Sequence, residues 1–263
     1  KNGYNAGTDQ QRLDDLHSMF RDLNVKAVWC VRGGYGCTRL LPMIDYELIR
    51  NNPKILIGYS DITALCNIIF QKTGLVTFHG PVASSTFEDY SIKAIQKVLM
   101  EAKPMNIQLN NHPNKIPTVD CQPFTLKAGE TSGVLAGGNL SLLAAMVGTP
   151  YEVDLNNKLV FIEEIGEKPY RIDRMLTQLR QSGSFKNVKG IVMGIFNDCN
   201  PEPEDESLSL KQCLVDRLKT IDVPIQYGYA FGHIRHQFVL PVGINAQLNT
   251  LKNSLLLTET AVS

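Results

Sequence analysis

Between Lys26 and Phe78 the chain alternates short apolar runs with longer stretches of helical spacing, and this alternation restricts the fold more tightly than any other feature. Lys26 to Val31 (KAVWCV) reads as a short apolar strand. Leu40 to Asn51 reads as a helix with Leu40, Leu41, Ile44, Leu48 and Ile49 inward. Ile55 to Ile57 is a second strand, Ile62 to Lys72 a second helix, and Leu75 to Phe78 a third strand. Parallel neighbours need long crossovers, usually helices, so the pattern predicts an α/β fold with an N-terminal doubly wound, mostly parallel sheet. Sites in such sheets gather beyond the carboxyl ends of strands. Three of these ends carry unusual residues: Arg32-Gly33-Gly34-Tyr35-Gly36, Gly58-Tyr59-Ser60-Asp61 and His79-Gly80-Pro81.

The flanking chain completes the plan. Thr8-Asp9 can cap a helix running to about Leu23, and Ser91 to Glu101 is another helix. From Pro104 to Thr131 prolines and asparagines break the pattern. This stretch reads as a crossing, 104–131, between an N-terminal α/β domain (1–103) and a C-terminal mixed α/β domain (132–263). In the second part Gly137-Gly138-Asn139 turns into a helix from Leu140 to Val147, closed by Gly148-Thr149-Pro150. Leu159 to Ile162 is a strand ending in Glu163-Glu164, Tyr170 to Gln181 a helix, Val188 to Phe196 a strand, and Leu210 to Lys219 a helix. A loop follows at Phe231-Gly232-His233-Ile234-Arg235-His236, and the tail from Gln237 to Leu257 alternates like a hairpin.

Ser60 sits between a core strand and the helix it feeds. Two readings are open for it: Ser60 or Asp61 caps that helix, or the serine is a nucleophile held on a tight turn. A hydroxyl becomes a good nucleophile only beside a base, and the base needs a third group to fix its tautomer. Glu163 or Glu164, with His233 or His236, can supply those roles from other strand ends and loops, although Glu164 and Glu167 read more simply as solvated charges. Backbone N–H groups at Asp61 and at Gly33 or Gly34 are the candidates to hold an oxyanion. Other chemistries lack their patterns. The glycine loop has no Walker lysine and no complete G-x-G-x-x-G, and there is no H-E-x-x-H.

Lys plus Arg equals Asp plus Glu at 26 each, so no overall field draws the chain to nucleic acid or to a membrane surface. Six scattered cysteines without a C-x-x-C suit reduced thiols in a cytoplasmic protein. No signal peptide is visible, and the first residue is not methionine.

Taken in order, a longer set of motifs resembles the LD-carboxypeptidase family of serine peptidases, the murein tetrapeptide carboxypeptidases. The likeness runs from about Ala6 to Leu257. It rests on Ala6-Gly7-Thr8-Asp9 with Arg12, Arg32 to Gly36, Gly58 to Asp61, Phe78-His79-Gly80-Pro81, Gly137-Gly138-Asn139-Leu140, Gly148-Thr149-Pro150, Phe161-Ile162-Glu163-Glu164, Pro169-Tyr170-Arg171-Ile172-Asp173-Arg174, Gly232-His233 and Leu240-Pro241. The resemblance implies two domains with the site in the cleft between them, Ser60 as nucleophile, His233 as base and Glu163 as the group orienting it. It also implies an oxyanion hole of backbone amides at Gly34 and Asp61, with no metal or other cofactor. The implied substrate is a murein peptide cut before its terminal D-Ala during cytoplasmic peptidoglycan recycling, by a homodimer. An exopeptidase must hold a free carboxylate, and Arg32, beside the glycine loop, is the expected cation. The chain departs from the family in two places. The strand and helix that usually precede Ala6 are not seen, so the first sheet is expected to lack a strand. Gln237 stands where the family commonly has Asn. Two alternatives remain: a microcin-immunity-like serine peptidase cleaving aminoacyl nucleotides, or a non-catalytic ligand-binding module. Trp29, the single tryptophan, lies inside a predicted strand and is a poor platform for a base.

Overall fold

The computed structural model describes residues 2–101, 103–109 and 122–262. Thr8 opens α1 (Asp9–Arg21) with a capping box: its hydroxyl accepts from the Gln11 amide, and its own N–H donates to the Gln11 side chain. β1 (Ala27–Trp29) follows. The single helix expected over 40–51 is instead three pieces: α2 (Cys37–Leu40), a 3-10 turn (Leu41–Met43) and α3 (Tyr46–Asn51). Pro42 has no N–H to continue the first piece, and Asp45 restarts the helix by accepting from the Leu48 N–H at 2.9 Å. β2 (Ile55–Gly58), α4 (Thr63–Thr73), β3 (Thr77–His79) and α5 (Asp89–Leu99) complete the alternation.

The second part contains β4 (Met105–Gln108), β5 (Phe124–Lys127), β6 (Glu130–Asn139), α6 (Leu140–Met146), β7 (Lys158–Ile165) and α7 (Pro169–Gln181). It continues with β8 (Gly190–Asn197), α8 (Leu210–Leu218), β9 (Ile225–Tyr227), β10 (Leu240–Val242), β11 (Asn245–Asn249) and β12 (Ser254–Leu257). Residues 110–121 of the expected crossing lie outside the described residues.

These strands form two sheets, ordered β1-β2-β3-β10 and β4-β12-β11-β6-β7-β8-β9-β5. β1, β2 and β3 are parallel, as are β6 to β9, while the outer pairings of the larger sheet are antiparallel. The α/β class, with a mostly parallel first sheet and a mixed second one, is therefore what the chain adopts. The tail corrects one expectation. Only β11 and β12 form the hairpin, whereas β10 crosses back to pair antiparallel with β3. Pro241 has no N–H to donate to a ladder, and an edge strand, paired on one side only, tolerates that loss.

Two side chains of α4 fasten the helix after Ser60 to the second sheet. Asn67 grips Gly137 on both sides, donating to its carbonyl at 2.8 Å and accepting from its N–H at 3.0 Å. Thr63 Oγ1 accepts from the Asn139 N–H at 3.0 Å. The approach needs glycines. A Cβ on Gly138 would stand 2.5 Å from Thr63 Oγ1, and one on Gly137 would stand 1.9 Å from the Phe161 carbonyl oxygen. Asn139 is in register with Glu163 on β7, so this joint sets the serine strand against the glutamate strand.

Candidate active site

β2 ends in a turn whose strained residue is Ser60, at φ 63. The left-handed region costs a non-glycine residue roughly 1–2 kcal/mol, and such strain persists where surrounding structure imposes it. The side chain lies against the glycine loop after β1: a Cβ on Gly33 would meet Ser60 Cβ at 2.8 Å and Oγ at 3.0 Å. The capping reading is not what the chain does. Neither the 3-10 turn Ser60–Ile62 nor α4 has a side-chain cap bond, and the buried Asp61 carboxylate turns away to accept the Cys37 N–H at 2.9 Å.

β7 carries two successive carboxylates inward through an irregularity between Ile162 and Glu164. Glu164, expected to be solvated, is buried. It accepts from Asn139 Nδ2 at 2.9 Å, the Ser141 N–H at 2.7 Å, Ser141 Oγ at 2.8 Å and the Ile165 N–H at 2.9 Å. Burial pushes its pKa up, and those bonds only partly offset the push. Glu164 thus stitches the end of β7 to the start of α6, a role that strand-end position alone did not reveal.

Glu163 is fully buried, and its Oε2 lies 2.7 Å from His233 Nδ1. Gly232 makes the approach possible, since at φ 110 a Cβ there would stand 2.9 Å from the same oxygen. Burial opposes charging of His233, but the hydrogen bond and charge of Glu163, with the more distant Glu164, prevail and raise its pKa above 6.5. The ring of Tyr59, the residue before Ser60, packs 4.7 Å from the His233 ring. The His233 ring therefore lies against the turn that bears Ser60. His236 instead lies edge-on to Tyr90. The His233 loop is stapled to α5 by the Gln237 N–H donating to Ser91 Oγ at 2.9 Å and by the Arg235–Glu88 ion pair. Gln237 thus occupies its buried position without disturbing the Glu163–His233 contact.

His79 closes the site from behind, buried among Tyr59, Phe161 and Phe231. Burial lowers its pKa to about 4, against the attraction of Glu163, so it is a neutral wall near neutral pH. Its two ring nitrogens and Glu163 Oε1 have no hydrogen-bond partner among the described residues. The nearby thiols are poor competitors as nucleophiles. Burial, with the Asp61 charge, holds Cys30 up at about 12 and Cys37 higher still. Arg32 is exposed, its guanidinium lying over its own loop with Nη2 3.7 Å from where a Gly34 Cβ would be. Among the described residues no group of three or more His, Cys, Asp or Glu is arranged to hold a metal ion, and no helix is long and apolar enough to cross a membrane.

The model of the LD-carboxypeptidase N-terminal domain matches residues 1–80, and that of the C-terminal domain matches 132–248. The probable murein peptide carboxypeptidase of Bacillus subtilis (strain 168) is 43% identical over 97% of this chain and 78% of that protein. The chain belongs to the LD-carboxypeptidase family. It is thereby a peptidase. This LD-carboxypeptidase is also 35% identical to the murein tetrapeptide carboxypeptidase of Pseudomonas aeruginosa, over 93% of the chain and 79% of that protein. Its fold superposes on the crystal structure of an MccF-like protein from Bacillus anthracis str. Ames with a TM-score of 0.83 and 32% identity, covering 97% of this chain and 83% of the other.

Sequence reasoning overlooked the joint made by Thr63, Asn67 and Gly137. Its one signal was a polar residue, Asn67, within the otherwise apolar run Ala64 to Phe70.

Proposed function

We propose that this LD-carboxypeptidase is a serine enzyme that removes the terminal D-Ala from murein tetrapeptides. Ser60 attacks the carbonyl at the L-centre of diaminopimelate or lysine while His233 Nε2 takes the hydroxyl proton. Glu163, accepting at Nδ1, keeps the imidazole in the tautomer that leaves Nε2 free. The tetrahedral oxyanion is held by the backbone amides of Gly34 and Asp61, the latter following the nucleophile as in other strand-to-helix elbows. His233 then returns the proton to the D-Ala amine, and water, activated by the same base, hydrolyses the acyl-serine. The expected division at 1–103 and 132–263 is modified by β10, which joins the first sheet, and by β4 and β5, which join the second. These two sheets supply the walls of the cleft, and Arg32 faces the free carboxylate of the departing D-Ala. With this reading go a cytoplasmic place in peptidoglycan recycling and a homodimer.

The observation that carries the reading is the 2.7 Å Glu163–His233 pair, whose imidazole packs on the ring of Tyr59, the residue before a strained serine. The names of the relatives favour the murein peptide over an aminoacyl nucleotide. So does Trp29, whose indole is already engaged: it donates to the Pro81 carbonyl at 2.7 Å and packs edge-on to Phe87. The test is hydrolysis of L-Ala-D-Glu-diaminopimelate-D-Ala with EDTA present, by wild type and Ser60→Ala. The wild type should release D-Ala, and the variant should lose on the order of 10⁶ in kcat, as when other serine peptidases lose their nucleophile. No release by the folded wild type refutes the murein reading and makes aminoacyl nucleotides the next substrates.

A further inference from the structure

The serine reading needs the glycine loop Arg32–Gly36 to hold one shape, yet that loop is built from the residues least able to hold one. Gly34 and Gly36 both sit at positive φ, 117 and 114. The loop touches the nucleophile directly, since Gly33 is packed on the Ser60 side chain. Two side chains from elsewhere fix its far end. The Asp61 carboxylate, only 4% exposed, accepts the N–H of buried Cys37 at 2.9 Å. Arg12 on α1 donates to the Gly36 carbonyl at 3.1 Å. Gly36 is threaded between its neighbours so tightly that a Cβ would stand 2.7 Å from the Arg12 guanidinium and 2.8 Å from Asn5 Oδ1. Asp61 thus reaches back from the turn that bears the nucleophile to the loop that faces it. A buried carboxylate is costly unless bonded, and here its bond goes to the loop instead of to its own helix.

We propose that the Asp61 side chain is a positioning residue for catalysis: it clamps the end of the glycine loop, with Arg12 as the second jaw, so that the Gly34 amide stays aimed at the oxyanion. This rests on the serine reading above. The Asp61 N–H would bind the oxyanion and the Asp61 carboxylate would fix the other donor, so one residue preorganises both halves of the hole. Preorganised donors act on the transition state far more than on the ground state. The clamp therefore predicts an effect on kcat rather than on KM.

The test compares Asp61→Ala, Asp61→Asn and Arg12→Ala for D-Ala release and for the rate at which a fluorophosphonate labels Ser60. Asp61→Ala should lower kcat by about 10²-fold, leave KM within about threefold and slow labelling by a similar factor to kcat. The acid limb of its pH profile should stay in place, because the Glu163–His233 pair is untouched. Asp61→Asn keeps an oxygen for the Cys37 N–H and should stay within about tenfold of wild type. A loss below about threefold for Asp61→Ala, a loss carried by KM, or an Asn variant as poor as the Ala variant overturns the clamp. If Asp61→Ala does not fold, Arg12→Ala decides, since the clamp requires its kcat to fall at constant KM and unchanged kcat refutes it. A wild type not labelled at Ser60 overturns the serine reading and the clamp with it. A labelled wild type with an equally reactive Asp61→Ala overturns the clamp alone.

Discussion

Replacing Glu163 by glutamine tests the site at its most constrained contact. The carboxylate can only accept, so the proton must sit on His233 Nδ1, 2.7 Å away, and Nε2 is left without one, as the proposed role as base to Ser60 requires. Glutamine has nearly the same shape, but its amide can donate to Nδ1. The proton then moves to Nε2, the nitrogen that must be bare. In a serine peptidase of unrelated fold the equivalent loss of tautomer control costs about 10⁴ in kcat, or roughly 5 kcal/mol of barrier. A second signature is independent of that number. The base must be neutral, so activity falls as pH drops through the pKa of His233, which Glu163 and Glu164 hold above 6.5 against the opposing effect of burial. Without the Glu163 bond and charge, burial is opposed by Glu164 alone, and the acid limb of kcat/KM should move to lower pH. Stability has the opposite sign. The raised pKa means the charged pair stabilises the fold below about 6.5 and loses that contribution as pH rises through the folded pKa. D-Ala release across a pH series, with urea unfolding at each pH, reads both effects. A Glu163→Gln enzyme within about tenfold of wild type, or one with an unmoved acid limb, would refute this account of the pair.

Two further outcomes follow from the packing around the site. His79 is buried neutral with a pKa near 4, so the unfolded chain binds a proton there first and stability drops as pH falls from 6.5 toward 4. That component is worth at most roughly 3 kcal/mol. His79→Phe should remove it, measured as a flatter dependence of urea stability on pH, and an unchanged slope would contradict the burial argument. Gly137→Ala should be among the most damaging single-methyl additions possible here, because its Cβ would meet the Phe161 carbonyl at 1.9 Å at φ 140. A loss of about 3 kcal/mol or more is expected, and a melting temperature within a few degrees of wild type would show that the joint between the sheets yields.

Sequence alone determined the periodic parts of this protein and the chemistry of its strand ends. The alternation from Lys26 to Phe78 dictates parallel strands with helical crossovers, because a run of three or four apolar residues can be buried only as a strand and the following amphipathic run only as a helix lying on it. Ser60, Glu163 and His233 stood out because each follows a strand or a glycine in a chain with few histidines, and the order of short motifs carried the family. Local pattern failed wherever a partner came from far along the chain. Glu164 looked solvated because its side-chain partners lie far off in sequence: Asn139 and Ser141 arrive from the neighbouring strand and helix. The Asp61 carboxylate looked like a cap because the Cys37 N–H that claims it lies 24 residues away. β10 looked like half a hairpin because the edge it completes belongs to β3, more than 150 residues earlier. Periodicity reports which face of an element is apolar. It carries no record of which distant element will cover that face, and only the tertiary structure, by deciding this, sets Glu163 of β7 against His233 and lays the His233 ring on Tyr59, the neighbour of Ser60.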